Sequence, residues 1–150
     1  MNDLTPDKDT VLLERRFNAP RQVVWDFVTR PENMVLWWGH DGWTMQSHQL
    51  DFTREGPWHA HMVSGEGNPF HVSGEVTEIS ASERVTFTWA WHDAEGNRGH
   101  ESQVTFTVTP AGDATLFSLR HTGLPDPDTV TSHAGGWTHV LARLERHFPD

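Results

Sequence analysis

Histidine and tryptophan are the side chains with most chemical scope in this sequence, 11 of the first and 8 of the second, and there is no cysteine. Without cysteine there is no thiolate nucleophile, disulfide or Cys-ligated metal. His59-x-His61 puts two imidazoles on one face of an extended segment, as a zinc site would begin. No third ligand follows at a recognisable spacing and there is no His-Glu-x-x-His helix. With Trp58, Ala60 and Met62 facing inward, the pair faces water, and no metal is expected. Ser64-Gly-Glu-Gly67 lacks both the Gly-x-Ser-x-Gly elbow and the lysine of a phosphate loop. His121 shares a strand face with Phe117 and Leu119 and so points inward. It is either a core histidine bonded to backbone or to Glu75, or the polar handle for a ligand carbonyl or hydroxyl. Together with Glu75 it would make an acid/base pair for a cyclase, dehydratase or hydrolase without cofactor. His71, Ser73 and Glu75 alternate along one strand face, turned either to that enclosure or to solvent.

Tryptophan supplies the second set. Val85, Phe87, Trp89 and Trp91 alternate on one face of a strand, opposite a helical stripe of Trp137, Leu141, Leu144 and Phe148 at steps of four, three and four. Large indoles pack with gaps, and each carries an N–H that needs a partner, so these rings suit the lining of a cavity for an apolar molecule with one or two polar handles. Trp37 and Trp38 are neighbours, about 100 degrees apart on a helix, so one enters the core and the other seals a rim or lies on the surface. The candidate ligand contacts are Trp37, Trp38, Met62, Glu75, Phe87, Trp89, Trp91, His121, Trp137 and Leu141. The leading expectation is a cofactor-free binding domain for a small hydrophobic or aromatic molecule.

Those residues need elements to hold them. Thr10 to Phe17 reads as a first strand with Val11, Leu13 and Phe17 on one face and Arg15 as the polar exception. Pro20 opens a short helix carrying Val23, Val24, Phe27 and Val28, and Pro31 opens another, with Met34, Val35 and Trp38 buried and Gly39 as its stop. Strand-like segments follow at Trp43 to Asp51, Trp58 to Val63, Phe70 to Ile79, Val85 to Trp91, Gln103 to Val108 and Thr115 to His121. Short Gly/Pro/Asn/Asp turns join them, the mark of an antiparallel meander. Thr131 or Ser132 is the expected cap of a long last helix, in which Gly135-Gly136 costs roughly 1 kcal/mol each. The fold class is α+β: a curved antiparallel sheet of about six or seven strands around a long C-terminal helix, as one domain over 10–150 after a flexible tail at 1–9.

The formal charge of −10 comes from 21 acidic residues against 11 basic ones, so a nucleic-acid backbone or anionic lipid surface is repelled. No apolar run is long enough to cross a membrane, and the first twenty residues lack a secretory pattern, so a cytoplasmic location is expected. The expected assembly is a monomer or homodimer, with an edge strand or an exposed aromatic such as Trp58 as the contact.

Five ordered landmarks carry a family resemblance: Val24-Trp25 after Ala19-Pro20, Trp37-Trp38-Gly39, Thr88-Trp89-x-Trp91, His121-Thr122-Gly123, and Gly136-Trp137 at the final helix. They resemble the START-like (SRPBCC) superfamily, and within it the branch named after the C-terminal domain of the activator of the heat-shock-protein-90 ATPase. The resemblance runs from about Thr10 to Phe148. It implies a helix-grip fold with two short helices after strand 1 and an internal cavity that in various members holds hydrophobic molecules. It also places Trp37-Trp38 near the cavity entrance. Co-chaperone action through protein contact is the alternative that the family name implies.

Overall fold

The computed structural model describes residues 9–149, so of the expected tail only Asp9 lies within the described residues. Seven strands form one antiparallel sheet: β1 (Val11–Phe17), β2 (Thr44–Gln49), β3 (Gly56–Val63), β4 (Pro69–Ser80), β5 (Arg84–Trp91), β6 (Ser102–Ala111) and β7 (Ala114–Thr122). Their order across the sheet is β1-β7-β6-β5-β4-β3-β2, a meander from β2 to β7 in which β1 closes the far edge. Two short helices, α1 (Arg21–Thr29) and α2 (Pro31–Met34), follow β1, and α3 (Pro127–Glu145) lies over the sheet face.

Alternation decides which face meets α3. In β5 the buried Val85, Phe87 and Trp89 lie across from Phe106, Val104 and Ser102 of β6, and Phe106 and Val104 pair in turn with Leu119 and His121 of β7. Trp137, Val140, Leu141 and Leu144 cover this surface from the helix, at spacings that keep them on one side of a 3.6-residue turn. Phe148, beyond the end of α3, packs on Phe17 at 4.9 Å and Phe27 at 5.3 Å between ring centroids. Arg15, the polar exception on the inner face of β1, reaches Glu145 at the end of the helix, 3.4 Å away.

Two sequence expectations are corrected. The helix does not start at Thr131 or Ser132: Asp126 is the cap, accepting the Thr129 backbone N–H at 2.8 Å, and Pro127 follows at the first helical position. Asp then Pro satisfies one orphan amide and removes another, so the helix begins a full turn earlier. Trp58 is not a surface aromatic. It is 1% exposed, its ring lies edge-on to Phe87 at 5.5 Å, and its Nε1–H donates to the Thr88 carbonyl at 3.0 Å. Gly74 makes room for that arrangement, because a Cβ there would lie 1.9 Å from the Thr88 oxygen. Among the described residues no helix is long and apolar enough to cross a membrane.

Candidate functional site

The sheet and α3 do not close on one another along their whole length. Toward the N-terminal part of α3 they leave a cavity of about 550 Å³. Five indoles wall it: Trp38 from the turn after α2, Trp43 just before β2, Trp89 and Trp91 from β5, and Trp137 from α3. Met62 of β3, Phe70 of β4 and Val140 of α3 complete the apolar surface. The polar lining is Ser132 and four imidazoles, His40, His71, His92 and His133.

Two hydrogen-bonded chains fix the deep wall. Trp137 Nε1–H donates to His121 Nδ1 at 2.9 Å, and His121 Nε2 lies 2.7 Å from Ser102 Oγ, which in turn reaches the Trp89 carbonyl at 3.4 Å. Because the indole can only donate, Nδ1 is the bare nitrogen and Nε2 carries the proton. Burial pushes His121 down to about 3, with His133 nearby adding to the effect, so the imidazole is neutral. In parallel, Trp91 Nε1–H donates to His133 Nε2 at 3.0 Å, and His133 Nδ1 lies 2.9 Å from the Thr129 carbonyl to which it donates. Trp89 is different. Its Nε1 is the buried side-chain donor that lacks a hydrogen-bond partner among the described residues, and its ring is enclosed by Trp38, Trp58, Trp91, Trp137 and His121 at 5.1–5.9 Å.

The mouth is built by stacking. His139 of α3, His40, Trp43 and Phe70 form a run of near-parallel rings at centroid spacings of 4.5, 4.4 and 4.4 Å. The segment carrying His40 and Trp43 is tied to the helix by Asp41, which takes a two-pronged contact from Arg146 at 3.0 and 2.8 Å. Arg143 donates to the Trp38 carbonyl at 2.9 Å. The hydrogen bond from Arg146 is the main reason the Asp41 carboxyl sits below its ordinary range. Gly39 and Gly42 turn the chain at φ of +85° and +83°, conformations that side-chain-bearing residues avoid. Gly136, which costs helix propensity, faces His40, whose Nε2 would lie 3.7 Å from an added Cβ.

Of the residues singled out in the sequence, Trp38, Met62, Trp89, Trp91 and Trp137 meet at this cavity. Trp37, Phe87 and Leu141 are fully buried and do not line it. Trp37 turns the other way from Trp38, giving its N–H to the Phe27 carbonyl at 3.0 Å, so it belongs to the core and not to the entrance. His121 points inward as its parity requires, but both ring nitrogens are taken by protein partners and it is 0% exposed, so it is a core histidine and not a ligand handle. Glu75 is exposed, whereas Val76 beside it is buried, which sets Glu75 on the outer face of the sheet. The His121–Glu75 acid/base pair is therefore not assembled.

His133 was legible in principle, since it lies one helical turn before Trp137 and continues the same stripe. His40, Trp43, Phe70 and His71 come together only through the strand register. At the lip of the cavity, where β4 begins, His71 lies on the outer face of its strand between His61 at 5.1 Å and His92 at 3.9 Å, with rings nearly parallel and His59 edge-on. Stacked faces do not direct lone pairs to a common point, and among the described residues no group of three or more His, Cys, Asp or Glu side chains is arranged to hold a metal.

A seven-stranded sheet gripping a C-terminal helix, with two short helices after β1 and a cavity at the helix end, defines the helix-grip class of the START-like superfamily. The family model for "Activator of Hsp90 ATPase homolog 1-like protein" matches residues 18–148, and the chain belongs to this family. A crystal structure of a member from Silicibacter pomeroyi is 38% identical, with a TM-score of 0.88 over 92% of this chain and 96% of that one. Proteins from Chromobacterium violaceum and Nitrosomonas europaea share the fold at 21% and 20% identity, with TM-scores of 0.81 and 0.76. Each aligns over 95% of this chain and over 99% and 95% of its own length, respectively. A comparison with curated proteins found no match.

Proposed function

We propose that this domain binds a small, largely aromatic or apolar molecule in the cavity between α3 and β5, without a cofactor. One observation carries the reading: a space of about 550 Å³ walled by five indoles, in the range typical of small-molecule sites, which are apolar with a few placed polar groups. The indole N–H groups of Trp91 and Trp137 are already bonded inside the protein, so these rings offer a ligand apolar and stacking surface. The test is native mass spectrometry of protein taken directly from its source cells. A retained molecule with an aromatic or apolar skeleton is the expected result. A bare chain mass, together with no change in tryptophan fluorescence on titrating a series of planar aromatic probes, would refute it. The family match favours a second reading, contact with the 90-kDa chaperone, and a pull-down that recovers no complex and leaves the chaperone's ATPase unchanged would count against it.

A further inference from the structure

Among the described residues, the ionisable groups that line the cavity are all imidazoles, with no Asp, Glu, Lys or Arg. Two of the four are committed to protein partners: His133 as described, and His92, whose ring nitrogens lie 2.7 Å from Ser73 Oγ and 3.2 Å from the Gly96 carbonyl. The ring nitrogens of His40 and His71 have no hydrogen-bond partner among the described residues. Each is clamped between two rings, His40 by Trp43 and His139, His71 by His61 and His92. A ring held on both faces offers its nitrogens only in its own plane, so these are fixed polar groups awaiting a partner.

The groups around these two rings are mostly basic. His40 is faced by His139 and Arg143 of α3, and by Asp41 of its own segment, whose carboxylate is held by Arg146 and Arg143. His71 is faced by His59 and His61 of β3 and by His92 at the end of β5. Arg98, bonded to the Ser73 carbonyl at 3.1 Å, stands close by with Glu101 as its own counter-ion at 2.8 Å. Resting on the reading of the cavity as a ligand site, we propose that its ligand is a weak organic acid: an apolar or aromatic body lies against the tryptophans while a carboxylate at the mouth accepts hydrogen bonds from His40 and His71. Burial, then the neighbouring histidines, holds His71 below its ordinary range; burial, His139 and Arg143 do the same for His40. Both are therefore neutral donors in the empty protein, and the bound anion draws a proton from water onto an imidazole. The chain's charge of −10 slows the approach of an anion but acts at long range and is screened by salt.

The test is isothermal titration calorimetry with three probes of one skeleton: 1-naphthaleneacetic acid, its neutral amide, and 1-naphthylmethylamine, each at pH 8 and pH 6. The acid is expected to bind more tightly than the amide, gaining about tenfold per pH unit as the pH falls, the limit for uptake of one proton. Two buffers of different ionisation enthalpy report that proton directly. In the His40→Asn/His71→Asn double variant, with its fold checked by near-ultraviolet circular dichroism, the ratio of acid to amide affinity falls toward one. Equal binding of acid and amide, tightest binding of the amine, or an acid preference that survives in the double variant overturns the proposal and leaves the cavity reading standing. No binding of any probe overturns both.

Discussion

Acidification tests the buried wall most directly. His121 is 0% exposed and held neutral, with a folded-state value of about 3 against 6.5 for a free imidazole. The unfolded chain therefore binds a proton below 6.5 that the folded chain refuses, so this histidine's contribution to stability is intact above 6.5 and is lost as the pH falls toward 3. One proton corresponds to about 1.4 kcal/mol per pH unit, so at pH 4.5 the loss is about 2.7 kcal/mol. In urea denaturation that is a fall of roughly 1–2 M in the midpoint between pH 7 and 4.5. Asp41, Asp93 and Asp126 all have lowered values, and their contributions fade only below the ordinary carboxylate range, so they leave this window largely to imidazoles. His40 and His71 shift in the same direction as His121, which makes a variant necessary. His121→Gln is expected to be less stable at pH 7, since it loses the ring packed against Trp89 and Trp137, but to lose less stability on acidification. Parallel curves of unfolding free energy against pH for the two proteins would refute the assignment of His121 as a neutral core group.

Three indole-to-phenyl substitutions separate packing from hydrogen bonding. Trp137→Phe and Trp58→Phe each strip a buried acceptor of its donor, whereas Trp89→Phe removes an N–H that has no partner; the first two should cost about 1–3 kcal/mol more than the third in urea denaturation. Gly74→Ala should lower stability by about 1–3 kcal/mol, because the methyl group meets the Thr88 carbonyl; an unchanged midpoint would mean that β4 and β5 separate without strain. Asp41→Asn removes the anion that raises the His40 value, so that histidine should titrate at still lower pH by nuclear magnetic resonance, and the amides of 39–43 should exchange faster. A higher His40 value in this variant would contradict the charge arrangement at the mouth.

How much of this was legible in the sequence depends on the range over which each feature is decided. Alternation in Val85-x-Phe87-x-Trp89 and the Trp137, Leu141, Leu144 spacing are local periodicities, and they were enough to give the sheet, the long helix and the faces that meet. The same holds for Pro20 and Pro31 as helix openings, and the Asp126-Pro127 start of α3 carried a recognisable signal that outweighs Thr131 and Ser132. Parity placed His121 inward, and Met62 on the inner face of β3. What parity cannot supply is the partner. Whether an inward residue touches empty space or protein depends on where α3 crosses the sheet, which sets Phe87 and Leu141 into solid core and Trp91 against a cavity. Tertiary contacts alone gave Trp37 to the Phe27 carbonyl and Trp38 to the cavity, spent both nitrogens of His121, and turned Glu75 away. They also assembled the stack of His139, His40, Trp43 and Phe70 from residues far apart in the chain, because stacking depends on register and on the close approach that Gly136 permits. The residues themselves determined a tryptophan-rich grip around a helix; only the packing of that helix decided which indoles were left with room beside them.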